Sequence, residues 1–515
     1  MAIIGFDFGN YNTFPCFISD FDPGTRMGGI VHDLLPSGLQ DGIPSVFYYS
    51  KKVGVLCGEE AVRTRARPQS NRIRNLKRHL GDSITLDDGS VISYDDAITS
   101  VIQHCVRRAN EQLHAGWQMT TNQISLSYPA SYTAAQLQRL IELAEQATLA
   151  DGTPVKVVGT IREPAAAALD YLAEQAQTKE ETTVLTYDLG GGTFDLALVA
   201  AYPAGRKNQT GGTYYYDVIA PGGLPNVGGT EFDKVVYQLV LSKLDVPLKP
   251  AHKSALRRLA ENIKIALSTD DYVEEDLFYE DDYLPFRITQ QEFAAASRDL
   301  LMQTIDATRE MLRNHPNQQP ELILLTGGAS QMPMVKRELE KALPQFKGKI
   351  VYFRPSRAIA YGAARFGTAE ENQDVTDGGR MVQQRTMFDI GVRYYERGKE
   401  DAQYIYTHIP ANTPIPYTGV FEDSYTHNEG QQYSTFRVFE AVTQHPDQYK
   451  TEEDYVEIMK VTLDYGAPVP KGTQNESRLH VDERGVLTIQ ARTKKSEGVK
   501  PVENTVQLTN LSSSG

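Results

Sequence analysis

A chain of 515 residues exceeds what one ordinary core supports, so two or more domains are expected. Apolar residues at 40% and charged residues at 23% are those of a water-soluble globular protein. The net charge of −14 argues against nucleic acid as a partner, because a phosphate-binding surface needs a basic excess.

The chain opens on Ile3-Ile4-Gly5-Phe6-Asp7, a short apolar strand pattern ending in Asp and followed by Gly9. No basic stretch with a following apolar segment precedes it, and no 18-residue apolar run occurs anywhere. A cytoplasmic protein without a membrane span is therefore expected. Cys16, Cys57 and Cys105 are scattered without metal-ligand spacing, which fits a reducing compartment. The basic run Arg63, Arg65, Arg67, Arg72, Arg74, Lys77 and Arg78 reads as a solvated or internally paired face.

In Asp7-Phe8-Gly9-Asn10-Tyr11-Asn12-Thr13, the bare Gly9 lets backbone N–H groups approach an anion. The Asp7 carboxylate is placed to hold hydrated Mg²⁺ beside it. Residues 134–149 carry apolar side chains at helical spacing. A second strand, 183–188, runs into Asp188-Leu189-Gly190-Gly191-Gly192-Thr193-Phe194-Asp195. Three consecutive glycines are entropically costly, and point to close approach of phosphate more than to a tight hairpin. Gly228-Gly229 opens a helix and is expected to present free N–H groups and a positive dipole end. The strand 321–326 leads into Gly327-Gly328, which is expected to do the same before a helix near Pro333. Repeated Asp-Gly strand-turns suggest an internal duplication of one α/β unit. No G-x-x-x-x-G-K-[ST] run occurs, so this is no P-loop protein.

Residues 370–385 are polar and read as a linker. From Thr386 the pattern turns all-β: Phe436, Val438 and Val442 share one parity, as do Leu487, Ile489 and Ala491. Glu483-Arg484-Gly485 marks a hairpin turn. Tyr404, Tyr406, Tyr417, Tyr425 and Tyr433 read as strand core. The chain ends in a Ser-rich tail, with no amphipathic helical pattern after the β region.

In this order, these segments resemble the actin-like ATPase superfamily, and more narrowly the seventy-kilodalton heat-shock chaperone (DnaK-type) family. Gly58-Glu59-Glu60-Ala61, Leu76-Lys77-Arg78-His79-Leu80-Gly81, Tyr128-Pro129-Ala130, Arg162-Glu163-Pro164-Ala165 and Arg354-Pro355 carry the narrower likeness. The resemblance implies an α/β actin-like duplicated nucleotide-binding domain followed by a small all-β sandwich. Its expected bounds are an ATPase domain at 1–370, a linker at 371–385 and a β domain at 386–510. It implies a divergent member lacking the helical lid.

The resemblance further implies ATP or ADP with Mg²⁺. Lys77 would orient the attacking water, while Asp7, Asp188 and Glu163 would surround the metal. Asp188 and Thr193 would position water and the γ-phosphate. Gly9, Asn10, Tyr11, Gly190, Gly191, Gly192, Gly228, Gly229, Gly327 and Gly328 would line the phosphates. Glu261, Lys264 and Ser268 would meet ribose and adenine from one helix face. Pro129 and Glu163-Pro164 would form the interdomain switch. The chain departs from the pattern at Asn10-Tyr11, where the family has paired threonines, and at Leu137, where it has arginine. It also departs at Ile265 and Gln331, where arginines sandwich the base, and in the polar linker. Nucleotide affinity below the family's norm is expected.

Three readings follow. One is an ATP-hydrolysing chaperone that binds unfolded polypeptide through its β domain, with a J-type cochaperone and an exchange factor as possible partners. The second is a nucleotide-gated scaffold for one dedicated protein partner. The third is a small-molecule kinase, disfavoured because no second substrate motif is apparent.

Overall fold

The structure, a computed structural model, describes residues 2–20, 28–64, 71–175, 181–208, 211–244, 246, 248–279, 282–372, 381–395, 403–442, 454–494 and 499–508. Arg65, Arg67 and the Ser-rich tail lie outside the described residues.

Two sheets repeat one plan. In the first, Ile4–Phe8 pairs antiparallel with Asn12–Ser19 and parallel with Gln123–Tyr128, which pairs parallel with Lys156–Arg162. In the second, Thr182–Leu189 pairs antiparallel with Phe194–Lys207 and parallel with Leu322–Thr326, which pairs parallel with Ile350–Tyr352. The expected duplication is thus visible strand for strand. Ile4–Phe8 is buried along its length and Thr182–Leu189 from Val184 onward, so they read as apolar runs and not as alternation.

Helix Ala358–Glu371 packs on the first sheet and helix Glu163–Gln175 contacts strands of the second, and the two helices pack on each other. Small side chains permit this approach. A side chain at Gly362 would strike the Ala166 backbone, and one at Gly5 would strike Ala360 and Ala364. Asp170, fully enclosed, takes Arg354 (2.8 Å) and Arg365 (2.9 Å) and ties the helix pair to the 350s loop. The helix expected at 134–149 spans Ala134–Gln146, started by a Thr133–Gln136 capping box. It stops earlier because Thr148 bridges to Pro154 instead.

The C-terminal described residues form two antiparallel sheets. One runs in the order Gln403–Ile409, Ile390–Tyr395, Gln431–Ala441, Tyr455–Val469. The other centres on Gln474–Val481 and Leu487–Thr493. Val392, Phe436, Val438, Val461, Leu479, Leu487 and Ile489 from both sheets share one core. Asp482 and Val486 close the turn around Glu483-Arg484-Gly485. Two expectations fail here. Val442 follows the end of its strand and is half exposed. Tyr404, Tyr406, Tyr425 and Tyr433 are also exposed (48%, 45%, 43% and 55%), not core. The phenol hydroxyl lets such a ring remain in water, so aromatic content alone did not give burial.

The strand Val382–Arg385, the end of the expected linker, is no loop. It pairs parallel with Thr213–Leu224 on one side and antiparallel with Pro414–Ile415 on the other. One sheet therefore runs from the N-terminal half into the C-terminal strands. The two buried glutamines are satisfied by backbone: Gln383 donates to the Ile415 carbonyl (2.8 Å) and Gln384 to the Thr160 carbonyl (2.9 Å). Arg385 forks onto Asp217 (3.0 and 2.9 Å), and Arg162 donates to the Arg385 carbonyl (2.8 Å).

Further contacts dock the two halves. Val486 joins the core of the first half, and Ala130 packs with Met387, Phe388 and Phe439. Leu137, standing at the departure from the family pattern, touches Gly485. The Ala134 N–H at the start of its helix donates to Glu440 (2.8 Å). Burial pushes the Glu440 carboxyl up to about 8, offset only in part by the Ala134 N–H and by Arg162. A raised carboxyl value means its contribution is full below the ordinary value of 4.5 and is lost as pH rises through about 8. Docking is therefore expected to weaken between pH 4.5 and about pH 8, and Glu440→Gln to flatten that dependence. Small-angle scattering across this range checks it; an unaltered slope in the variant would assign the titration to another group.

Candidate functional site

Both Asp-Gly turns close in the same way. The Gly9 N–H donates to the Asn12 carbonyl (3.1 Å), and the Gly190 N–H to the Thr193 carbonyl (3.0 Å). A side chain at Gly9 would run into the carbonyl it bonds. Each turn leaves its strand-end aspartate at the same relative place.

Asp7, Asp188 and Glu163 meet there, joined by Asp195. All four are buried. Asp7 accepts from the Ser127 hydroxyl (2.9 Å), and Asp195 from the Ser131 N–H (3.2 Å). Burial first, and Glu163 second, push Asp7 and Asp195 up to about 7. Asp188 is held well above the usual carboxylate range by burial and by Glu163, Asp195 and Asp7, and its Oδ1 has no aligned hydrogen-bond partner. Lys77, buried on the short turn Leu76–His79, forms an ion pair with Glu163. The Tyr132 hydroxyl fixes its backbone by donating to the Lys77 carbonyl (2.9 Å).

The residues fit Mg²⁺ and phosphate at this end. A dense set of buried carboxylates, one with an orphaned oxygen, faces a single lysine beside a side-chain-free turn. Among the described residues no three His, Cys, Asp or Glu side chains are placed to hold a metal directly. A Mg²⁺ ion at Asp7, Asp188 and Glu163 would be held through its own water and phosphate oxygens.

The Gly228-Gly229 expectation needs correction. The Gly229 N–H donates to the Gly190 carbonyl and the Thr230 N–H to the Gly191 carbonyl (both 2.9 Å). The Glu231 N–H returns to Gly228 (2.9 Å). These groups are spent on docking the helix Gly229–Lys243 against the triple-glycine turn, and are not free for an anion. Gly228 is bare because its α-carbon abuts the backbone of Gly192 and Thr193. Gly327 has a similar task. Its φ is +78°, and a side chain there would strike Asp188 and Leu189. Gly328 begins the turn Gly328–Gln331, which separates it from the helix Pro333–Ala342.

Glu261 and Lys264 lie on the helix Pro250–Ala266, whereas Ser268 falls beyond its end. The expected i, i+3, i+7 face is therefore incomplete. Lys264 is engaged by Asp233 (2.7 Å) and by the Gly229 carbonyl (3.2 Å). Ile265 is exposed and lies on the same helix.

The first turn reaches across to the second. The Tyr11 ring lies against Gly191, and the Asn10 amide against Gly192. The Tyr11 hydroxyl is directed to Asp233 (3.4 Å). Arg78 donates to the Gly192 carbonyl (3.1 Å from Nε) and pairs with Glu231 (2.8 Å). Asp195, Arg78, Glu231 and Asp233 were not among the candidates in the sequence. Asp195 stood inside the quoted turn, two residues past Thr193. The other three become neighbours only through tertiary packing, and no local spacing marks them.

A family model described as "Hsp70 protein" matches residues 97–514. The chain belongs to the Hsp70 family. It is 28% identical over 378 residues to "Chaperone protein DnaK" of Thermotoga petrophila, covering 68% of this chain and 58% of that protein. It is 27% identical over 347 residues to a "Chaperone protein HscA homolog" of Variovorax paradoxus, covering 62% and 52%. The chain thus spans a little over half the length of these relatives. The Hsp70 match includes Glu163, the 188–195 turn, Gly228-Gly229 and the 327–328 turn, while Asp7, Tyr11 and Lys77 precede it. The Hsp70 family implies an actin-like two-lobe ATPase with a β-sandwich. The mixed α/β sheets and the antiparallel C-terminal sheets agree with that at the level of architecture. Among the described residues no helix is long and apolar enough to cross a membrane. The three cysteines are buried and form no disulfide.

Proposed function

We propose that this Hsp70-family chain binds ATP and ADP with Mg²⁺ between its Asp-Gly turns, hydrolyses ATP, and couples nucleotide state to polypeptide binding by its C-terminal strands. The buried cluster Asp7, Glu163, Asp188 and Asp195 with Lys77, beside the triple-glycine turn, carries the reading. Phosphoryl transfer to water depends on positioning and charge neutralisation, which such a set supplies. When bound, Mg²⁺ would neutralise phosphate charge at Asp7, Asp188 and Glu163.

In this reading Lys77 presents a fixed ammonium to the reacting end, held by Glu163. Thr193 and Asp188 orient water at the turn. Asp195, with its carboxyl near 7, can take a proton at neutral pH. Gly190, Gly191 and Gly192 line the phosphate side. Glu261 and Lys264 face the nucleoside side. Pro129 and Glu163-Pro164 are the switch in this reading: Arg162, beside Glu163, donates to the Arg385 carbonyl of the docked strand Val382–Arg385, and Ala130, beside Pro129, packs with Met387 and Phe388. That continuity supports coupling between an ATPase domain at 1–370 and a β domain at 386–510. A J-type cochaperone and an exchange factor are the partners this family reading implies, and the cytoplasm is its compartment.

A second reading, a nucleotide-gated scaffold for one dedicated protein, is favoured by the tyrosines at 404, 406, 425 and 433, which give the C-terminal sheets a polar aromatic surface. ATP turnover measured with and without unfolded polypeptide separates the two. Stimulation by generic polypeptide favours the chaperone; indifference to it favours the scaffold.

A further inference from the structure

The triple-glycine turn is bare on the side where the first turn approaches it, and the chain itself fills that side. A side chain on Gly191 would collide with the Tyr11 ring, and one on Gly192 with the Asn10 amide. The glycines at 191 and 192 are therefore required here by Tyr11 and Asn10, whatever ligand they also admit. The Tyr11 ring is anchored at its far end, where its hydroxyl reaches Asp233, itself paired with Lys264. Asn10 adds a second observation: its Oδ1 is buried without a hydrogen-bond partner. A buried amide oxygen left without a partner beside the triple-glycine turn marks a position held for want of something better to bond. Arg78 completes the closure from the neighbouring element, bonding the Gly192 carbonyl and Glu231 on the helix that follows.

We infer that Tyr11 is a resident gate of the nucleotide site: its ring takes the face of Gly191 that a phosphate group must reach, so nucleotide enters only as Tyr11 swings away from Asp233. The inference rests on the ATP-binding reading above. It assigns to Tyr11 an affinity-setting role that the cluster of carboxylates does not have. The gate is steric, made by the ring, and the hydroxyl anchor is secondary. Competition of this kind lowers apparent affinity by the fraction of molecules with the ring displaced. It acts chiefly on the association step, since binding waits on a conformational change.

The test is a stopped-flow and equilibrium titration of the full chain with a fluorescent ADP analogue and Mg²⁺, on the unaltered protein, Tyr11→Ser and Tyr11→Phe. Tyr11→Ser removes the ring and is expected to bind about tenfold tighter or more, mostly through a faster association rate. Tyr11→Phe keeps the ring and is expected to stay within about threefold of the unaltered chain. If the unaltered chain and Tyr11→Ser bind with equal affinity and equal rates, the gate is overturned while the nucleotide reading stands. If neither binds, both fall. Should Tyr11→Ser not fold, the unaltered protein decides. With tyrosine-specific isotope labelling, the resonance missing from Tyr11→Phe identifies Tyr11. A large shift of that resonance at saturating ADP supports the gate, and an unmoved one overturns it.

Discussion

Lys77→Ala is expected to lower ATP turnover by about 10²–10³-fold, the size seen when one preorganised charge is removed from a reacting centre. The ammonium is buried, and its partner is Glu163. The same substitution therefore leaves Glu163 buried without its cation among Asp7, Asp188 and Asp195. Breaking a buried pair from one side costs about 3–5 kcal/mol of stability. The two effects must be separated. The double variant Lys77→Ala with Glu163→Gln removes the stranded carboxyl, and should recover much of the thermal stability without recovering turnover. Single-turnover hydrolysis and thermal melting on all three proteins check this. Turnover within about threefold of the unaltered chain in Lys77→Ala would remove Lys77 from the reacting centre.

Arg385→Glu is expected to release the C-terminal strands from the N-terminal half. Arg385 forks onto Asp217 across the parallel pairing of Val382–Arg385 with Thr213–Leu224. The substitution sets two carboxylates face to face where a bidentate pair stood, on a strand whose neighbours Val382, Gln383 and Gln384 are buried. The loss, again on the order of 3–5 kcal/mol, falls on docking and not on either core. Small-angle scattering should report a larger radius of gyration, and amides of Val382–Arg385 should exchange faster. Asp217→Arg added to Arg385→Glu should restore the compact form, as a swapped pair does in a double-mutant cycle. Scattering identical to the unaltered chain would show that the glutamine and apolar contacts suffice without the ion pair.

What was legible in the amino-acid sequence was contiguous. The 188–195 turn could be read because its aspartate, three glycines and threonine stand in one string. The structure puts them at one strand-to-strand turn whose Asp188 joins Asp7 and Glu163. The duplication could be read because each leading strand ends in Asp before glycine. What was not legible came from packing between distant segments. Paired glycines at 228–229 look alike whether they face an anion or another backbone; here their N–H groups bond Gly190 and Gly191. The linker looked polar, yet Gln383 and Gln384 are buried because backbone carbonyls of Ile415 and Thr160 satisfy them. Ser268 lost its place on the helix face because the helix stops at Ala266. Tyr11 was recognisable as a departure, but only the structure turns its ring onto Gly191 and its hydroxyl toward Asp233.

Calorimetric titration of ATP in Mg²⁺ and in EDTA, on the unaltered chain and on Asp188→Asn, bears most directly on the nucleotide site. Asp188 sits at the centre of the carboxylate cluster with an oxygen left unbonded. One saturable site is expected in Mg²⁺, weakened by about tenfold or more both by EDTA and by Asp188→Asn. Binding of equal strength in all four titrations, or no binding in any, would contradict a Mg²⁺-dependent nucleotide site at the two Asp-Gly turns.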